Sequence, residues 1–282
     1  MKLLSFQLEG TTHWGILKDD GIYYSDHLMT YFPNLLSVIQ NFHHLNLEQD
    51  LNKFVTLDEV NILPPYQPNK NIMCIGKNYR EHALEMTSND PTSIPKAPVV
   101  FTKSPTCVIG QDQTILAHTN VTNQLDYEGE LAVVIGKKGI NISKEEALDF
   151  VFGYTILNDI TARDLQKKHQ QFFKGKSLDT FAPFGPVIVS ADEIPDVQNL
   201  HIQTKVNDEV RQDGNTNDMI FSVADLIEVL SEGMTLEPGD VIATGTPSGV
   251  GKGFSPPRFL NPGDQVSITI EGIGTLQNIV KE

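Results

Sequence analysis

The stretch Asp126-Tyr127-Glu128-Gly129-Glu130-Leu131-Ala132-Val133-Val134-Ile135 constrains this chain more than any other. Its second half is an unbroken apolar run of strand length and its first half alternates, which predicts a buried strand that begins at the rim of a cavity. Successive side chains on a strand point to opposite faces, so Glu128 and Glu130 share one face while Tyr127, Gly129 and Leu131 take the other. Carboxylates that close repel, and either one keeps a proton or a cation sits between them. A solvated sheet edge is the plainer alternative. The run Tyr154-Thr155-Ile156-Leu157-Asn158-Asp159 weighs against it, because a second apolar segment ends there in a third carboxylate. Three oxygen donors without Cys or His suit Mg²⁺ or Mn²⁺, with Ca²⁺ also admissible, far better than Zn²⁺.

The 282 residues are enough to bury a full core, and the formal charge of -15 argues against nucleic acid or an anionic membrane surface as partner. One stretch runs against that charge: Arg163, Lys167, Lys168, Lys174 and Lys176 face a single acid, Asp164. Cys74 and Cys107 are far apart and outside any C-x-x-C spacing, so no disulfide framework is expected. The N-terminus meets Glu9 before a signal-peptide core can form, and no apolar run approaches bilayer length. The expectation is a cytoplasmic protein.

Residues 1–25 alternate in strand fashion about an Asp20-Gly21 turn, and short helical patterns follow at 35–41 and 47–54. His13, His27, His43 and His44 show no ligand-like grouping. Leu63-Pro64-Pro65-Tyr66-Gln67-Pro68 marks a boundary, giving a small accessory domain over 1–66 and a main domain over 67–282. Asn78 and Glu81 have capping-box spacing, and His82 and Glu85 share a helix face, as a water-activating base and its orienting carboxylate would; an idle pair is the alternative. Pro91, Pro95 and Pro98 suggest a lid over 87–98. Ser143 to Glu146 reads as the start of a helix to about Val151, and Asn207-Asp208 as a hairpin turn. Ser222 to Leu230 reads as an amphipathic helix. Gly245-Thr246-Pro247-Ser248-Gly249-Val250-Gly251-Lys252-Gly253 fails as a phosphate loop on spacing and on its last residue; backbone N–H groups offered to a carboxylate are the more economical use.

Taken together, Asp126 to Glu130, Asn158-Asp159-Ile160-Thr161-Ala162-Arg163-Asp164, Lys176-Ser177 and Gly245 to Gly251 resemble the fumarylacetoacetate hydrolase family, from about Asn71 onward. The resemblance looks closest to the short branch of acylpyruvate hydrolases, oxaloacetate decarboxylases and isomerase/decarboxylases. It implies a predominantly β, α+β fold, a mixed β-sandwich roll, and a homodimer. Position by position it implies Glu128, Glu130 and Asp159 as metal ligands and His82, Glu85 and Lys176 as catalytic residues. Gln166 and Thr246, with the neighbouring Gly245 and Arg163, would bind a small anionic oxo acid, and Thr180 would lie near the metal. Ile75-Gly76-Lys77-Asn78 lacks the extra upstream aspartate of the long-chain members, which counts against fumarylacetoacetate itself as substrate.

The leading expectation is hydrolysis of the carbon–carbon bond of a 2,4-dioxo acid such as an acylpyruvate. A divalent ion would stabilise the departing pyruvate enolate and His82 would activate water. Decarboxylation of oxaloacetate or keto–enol isomerisation on the same site is the alternative, since each also passes through an enolate. A binding module with vestigial catalysis is the third.

Overall fold

The computed structural model describes residues 1–42, 50–87 and 90–282, so the expectations for His43 and His44 lie outside the described residues. The chain is a mixed α+β fold in which strands predominate. Gly129–Ile135 and Val151–Asn158 are buried at every position, as strands without a polar face must be. They pair antiparallel from Gly129↔Asn158 to Ile135↔Val151. On one side the sheet continues through Ala182–Ser190, Lys2–Leu8, Thr11–Lys18, Gly21–Tyr24 and Lys53–Val55; on the other it continues through Val241–Ala243, Ile72–Gly76 and Val99–Lys103. The N-terminal strands join this sheet through Lys2↔Val189 and Leu3↔Ile188, and the Ser5 hydroxyl donates to Pro65 O at 2.5 Å.

A second sheet runs in the order Glu209–Asn215, His201–Val206, Gln265–Ile270, Gly274–Lys281, Thr114–Leu116 and packs against the first. The sheets approach closely at Gly129, where an added Cβ would lie 2.3 Å from Thr204 Oγ1 and 3.1 Å from Ile268 Cγ2. Gly129 therefore faces the second sheet. By strand alternation Glu128 and Glu130 face away from it, toward the opposite side of the first sheet.

Several local expectations match the structure. Asn207 and Asp208 both take positive φ, 51° and 66°, as a two-residue hairpin turn of the primed kind requires. Ser222 and Asp225 form a reciprocal capping box on the helix Val223–Ser231. Cys74 and Cys107 are buried and unpaired. Lys18 pairs with Gly21, which places the first hairpin turn at Asp19-Asp20, one residue earlier than expected.

Three others differ. Of the described end of the 47–54 stretch only Asp50 is helical: Lys53–Val55 is a strand on Gly21–Tyr24, with Phe54 edge-on to Tyr23 at 5.3 Å. Past Ser143 there is only the 3₁₀ turn Ala147–Phe150, because Phe150 O already accepts from Gly136 N–H and Lys137 N–H and the chain enters the sheet at Val151. Asn78 caps nothing. The helix Arg80–Glu85 starts from Tyr79, while the buried Asn78 amide donates to Phe221 O (3.0 Å) and Thr244 O (2.8 Å) and accepts from Phe221 N–H (2.9 Å).

Gly129→Ala should lose roughly 1–3 kcal/mol of stability, the usual cost of overpacking. The double variant Gly129→Ala/Thr204→Ala should recover most of that loss in urea unfolding. An unchanged midpoint in the single variant would show that the sheets are not in contact there.

Candidate metal centre

Two backbone bonds bring the acidic residues together. Asp159 N–H donates to Glu128 O at 2.8 Å, and Glu128 N–H donates to Asn158 Oδ1 at 3.1 Å, so the end of one central strand is tied to the start of the other. Glu128, Glu130 and Asp159 each present an oxygen within 4.8 Å of the other two. All three are less than 5% exposed, so water does little to screen them from one another.

Three buried cations answer them. Lys176 Nζ donates to Glu128 Oε2 and, at 2.6 Å, to Asp159 Oδ2. Arg163 spans two acids, with Nη2 at 2.6 Å from Glu128 Oε1 and Nε at 2.8 Å from Asp126 Oδ2. Lys103 Nζ donates to Asp159 Oδ1 (2.7 Å) and Ile160 O (3.0 Å). Glu130 accepts from Gly245 N–H at 2.9 Å and pairs with no cation among the described residues. Four carboxylates (Asp126, Glu128, Glu130, Asp159) against three cations (Lys103, Arg163, Lys176) leave one negative charge in the cluster.

That excess settles on Glu130. Burial, then the charges of Asp159 and Glu128, push its carboxyl well above the usual range. Glu128 goes the other way: burial raises it, but Arg163 and Lys176 together outweigh burial and hold it low. Burial likewise opposes the charge on Lys176, and the neighbouring Asp159 and Glu128 carboxylates overcome it and raise the ammonium. Hard oxygen donors carrying uncompensated negative charge suit a hard dication, and Glu128, Glu130 and Asp159 are a candidate divalent-metal site.

The cluster opens on a cavity of about 320 Å³, at the small end for ligand sites. Glu128, Glu130, His82, Arg163, Lys176, Gln166 and Thr246 line it, whereas Asp159 stands behind them. Glu85 Oε2 lies 3.1 Å from His82 Nδ1, and its Oε1 accepts from Gly249 N–H at 2.9 Å, which fixes the pair against the glycine loop. Gln166 Oε1 accepts from Arg163 Nη1 at 3.3 Å. The Thr246 hydroxyl donates to Gly129 O (2.8 Å) and accepts from Gln212 Nε2 (2.7 Å), so its proton is already engaged. Gly245 is not in the lining and acts through its N–H on Glu130. Thr180 is outside the lining too, its hydroxyl accepting from Leu116 N–H.

The glycine loop does offer N–H groups to carboxylates, and those carboxylates are the protein's own: Gly245 to Glu130, Gly249 to Glu85, Gly251 and Lys252 to Asp126. Lys103, Asp126 and Gln212 belong to the site without having been singled out individually from the sequence. For Lys103 the available signal was a lysine two residues after Phe101 and so on the same strand face.

Residues 71–281 match the family described as Fumarylacetoacetate (FAA) hydrolase C-terminal. Oxaloacetate tautomerase YisK of Bacillus subtilis (strain 168) is 61% identical over 231 residues, covering 81% of this chain and 76% of that one. The structure of a fumarylacetoacetate hydrolase from psychrophilic Exiguobacterium antarcticum superposes with a TM-score of 0.90 at 46% identity, covering 100% and 99% of the two chains. A maleylpyruvate hydrolase from Sphingobium sp. SYK-6 gives 0.81 at 30% identity, with 100% and 99% covered.

Because burial and the neighbouring carboxylates raise the Glu130 carboxyl in the folded protein, a dication bound there competes with a proton. Glu130 alone favours the ion-free fold at low pH and costs stability as pH rises through its raised value. The thermal stabilisation given by Mg²⁺ or Mn²⁺ should therefore grow as pH rises, with proton release on binding. Stabilisation of equal size at every pH would contradict this account of Glu130.

Proposed function

The chain belongs to the fumarylacetoacetate hydrolase family, and from that premise we propose that it interconverts the keto and enol forms of a small 2-oxo acid of the oxaloacetate type. The coarser statement, a metal-associated enzyme that processes oxo acids, rests on the acidic triad together with the relatives. The observation that carries the finer one is the 61% identity to an oxaloacetate tautomerase. It favours the isomerising alternative over hydrolysis.

Tautomerisation moves one proton from C3 to the C2 oxygen, or back. A bound divalent ion would supply Lewis-acid stabilisation of the enolate charge, and Glu128, Glu130 and Asp159 would hold it. His82 lines the cavity with Nδ1 occupied by Glu85, which leaves Nε2 to exchange the C3 proton. Lys176 would meet the oxygen on which charge collects. Arg163 and Gln166, already bonded to each other, would receive the acid's 1-carboxylate.

Hydrolysis of a 2,4-dioxo acid is the second reading, supported by the similarity to a maleylpyruvate hydrolase. It uses the same groups, with His82 activating water. Decarboxylation of oxaloacetate would leave the same enolate. A cytoplasmic homodimer belongs with any of these readings.

Following the ultraviolet absorbance of enol-oxaloacetate with Mg²⁺ or Mn²⁺ present, we expect rapid approach to the keto–enol equilibrium. Glu128→Ala/Glu130→Ala should abolish it, and His82→Ala should slow it by about 10²–10⁴. Release of pyruvate from acylpyruvates without acceleration of oxaloacetate tautomerisation would instead establish the hydrolase reading.

A further inference from the structure

At the inner end of the cavity every cation is paired with a carboxylate, whereas exposed lysines along the lining are not. Lys77, Lys167 and Lys252 line the cavity, the last two exposed to solvent, and none of their ammonium groups has a hydrogen-bond or ion-pair partner among the described residues. Lys167 and Lys252 also border a second, outer cavity together with Lys168 and Arg163, so they stand between the site and the surface. Asp164, the only acid lining that outer cavity, is already engaged by the Thr122 hydroxyl (2.6 Å) and by Asn123 N–H (3.4 Å).

In a chain of formal charge -15, several unpaired lysines at one cavity mouth form a local exception. Like charges held together in a concave site raise the potential there and draw an anion to it. Lys252 bears the mark of that crowding: partial burial, then Arg163 and Lys167, push its ammonium below the ordinary lysine value. Its backbone is anchored, since Lys252 N–H donates to Asp126 Oδ2 at 3.0 Å, the same carboxylate that holds Arg163. The position of Lys252 is thus tied to the residue proposed to receive the 1-carboxylate.

We propose that Lys252 and Lys167 receive the far carboxylate of the substrate, making the site selective for 2-oxo dicarboxylic acids over 2-oxo monocarboxylic acids of the same length. This rests on the oxo-acid reading above and adds to it the two side chains that select the second carboxylate. The head of the molecule would lie at the acidic triad and Arg163, and its tail would reach the lysines at the mouth.

Binding separates this proposal from catalysis. With Mg²⁺-loaded protein, titration calorimetry should compare oxaloacetate with 2-oxobutanoate, and 2-oxoglutarate with 2-oxopentanoate; each pair differs only in the terminal carboxylate. The dicarboxylate should bind at least about tenfold more tightly in one or both pairs. Lys167→Met/Lys252→Met should bring that ratio close to one, while Lys167→Arg/Lys252→Arg keeps it. The proposal is overturned by equal binding within both pairs, by a preference that survives the double methionine variant, or by equal weakening of both pair members in that variant. A protein that prefers dicarboxylates yet does not tautomerise oxaloacetate would retain this inference and lose the reaction.

Discussion

Seven ionisable side chains packed into one small, dry volume are the constraint on which the site depends. Removing one charged partner from such a group leaves another buried and uncompensated, which typically costs several kcal/mol. Asp126, Arg163, Glu128, Lys176, Asp159 and Lys103 form a chain of alternating sign in which every link is a direct hydrogen bond. Glu130 is the member left over. With a dication bound and Glu130 ionised, four carboxylates, three cations and the ion would sum to +1, which would favour a bound carboxylate. The same imbalance that disfavours an ionised Glu130 would thus favour, in turn, an ion and then an acid.

The glycine loop carries this arrangement into the backbone. By donating N–H groups to Glu130, Glu85 and Asp126, it contacts a candidate ligand, the carboxylate that holds His82 and the carboxylate that holds Arg163. Three side chains from separate elements are thereby indexed to a single stretch of main chain. Gly249 shows why the stretch needs glycine: its φ is +101°, and a Cβ there would lie 1.9 Å from Arg211 O.

What could be read from the sequence was local and periodic. The glutamate strand, the run ending in Asp159, the His82–Glu85 pair and the Ser222 cap each follow from the spacing of a few neighbouring residues, and the chain folds them as that spacing requires. What could not be read was what each polar residue would meet far along the chain. Asn78 carries a local capping pattern but is claimed by Phe221 and Thr244 across the fold. Lys103 lies 56 residues from Asp159, and no periodicity reports such a pairing. The Leu63 to Pro68 stretch reads as a boundary because of its prolines, yet the hydrogen bonds of Lys2–Leu8 to Ala182–Ser190 are invisible until the sheet is closed.

The interlocked interior and the unattached lysines at the mouth differ in how freely they can change. A substitution among the buried charges disturbs several partners at once, whereas one at Lys77, Lys167 or Lys252 breaks no side-chain hydrogen bond or ion pair among the described residues. Over evolutionary time, descendants of such a scaffold can inherit the reactive end unchanged while the outer positions diversify, acquiring new preferences for the rest of the molecule without relearning the chemistry.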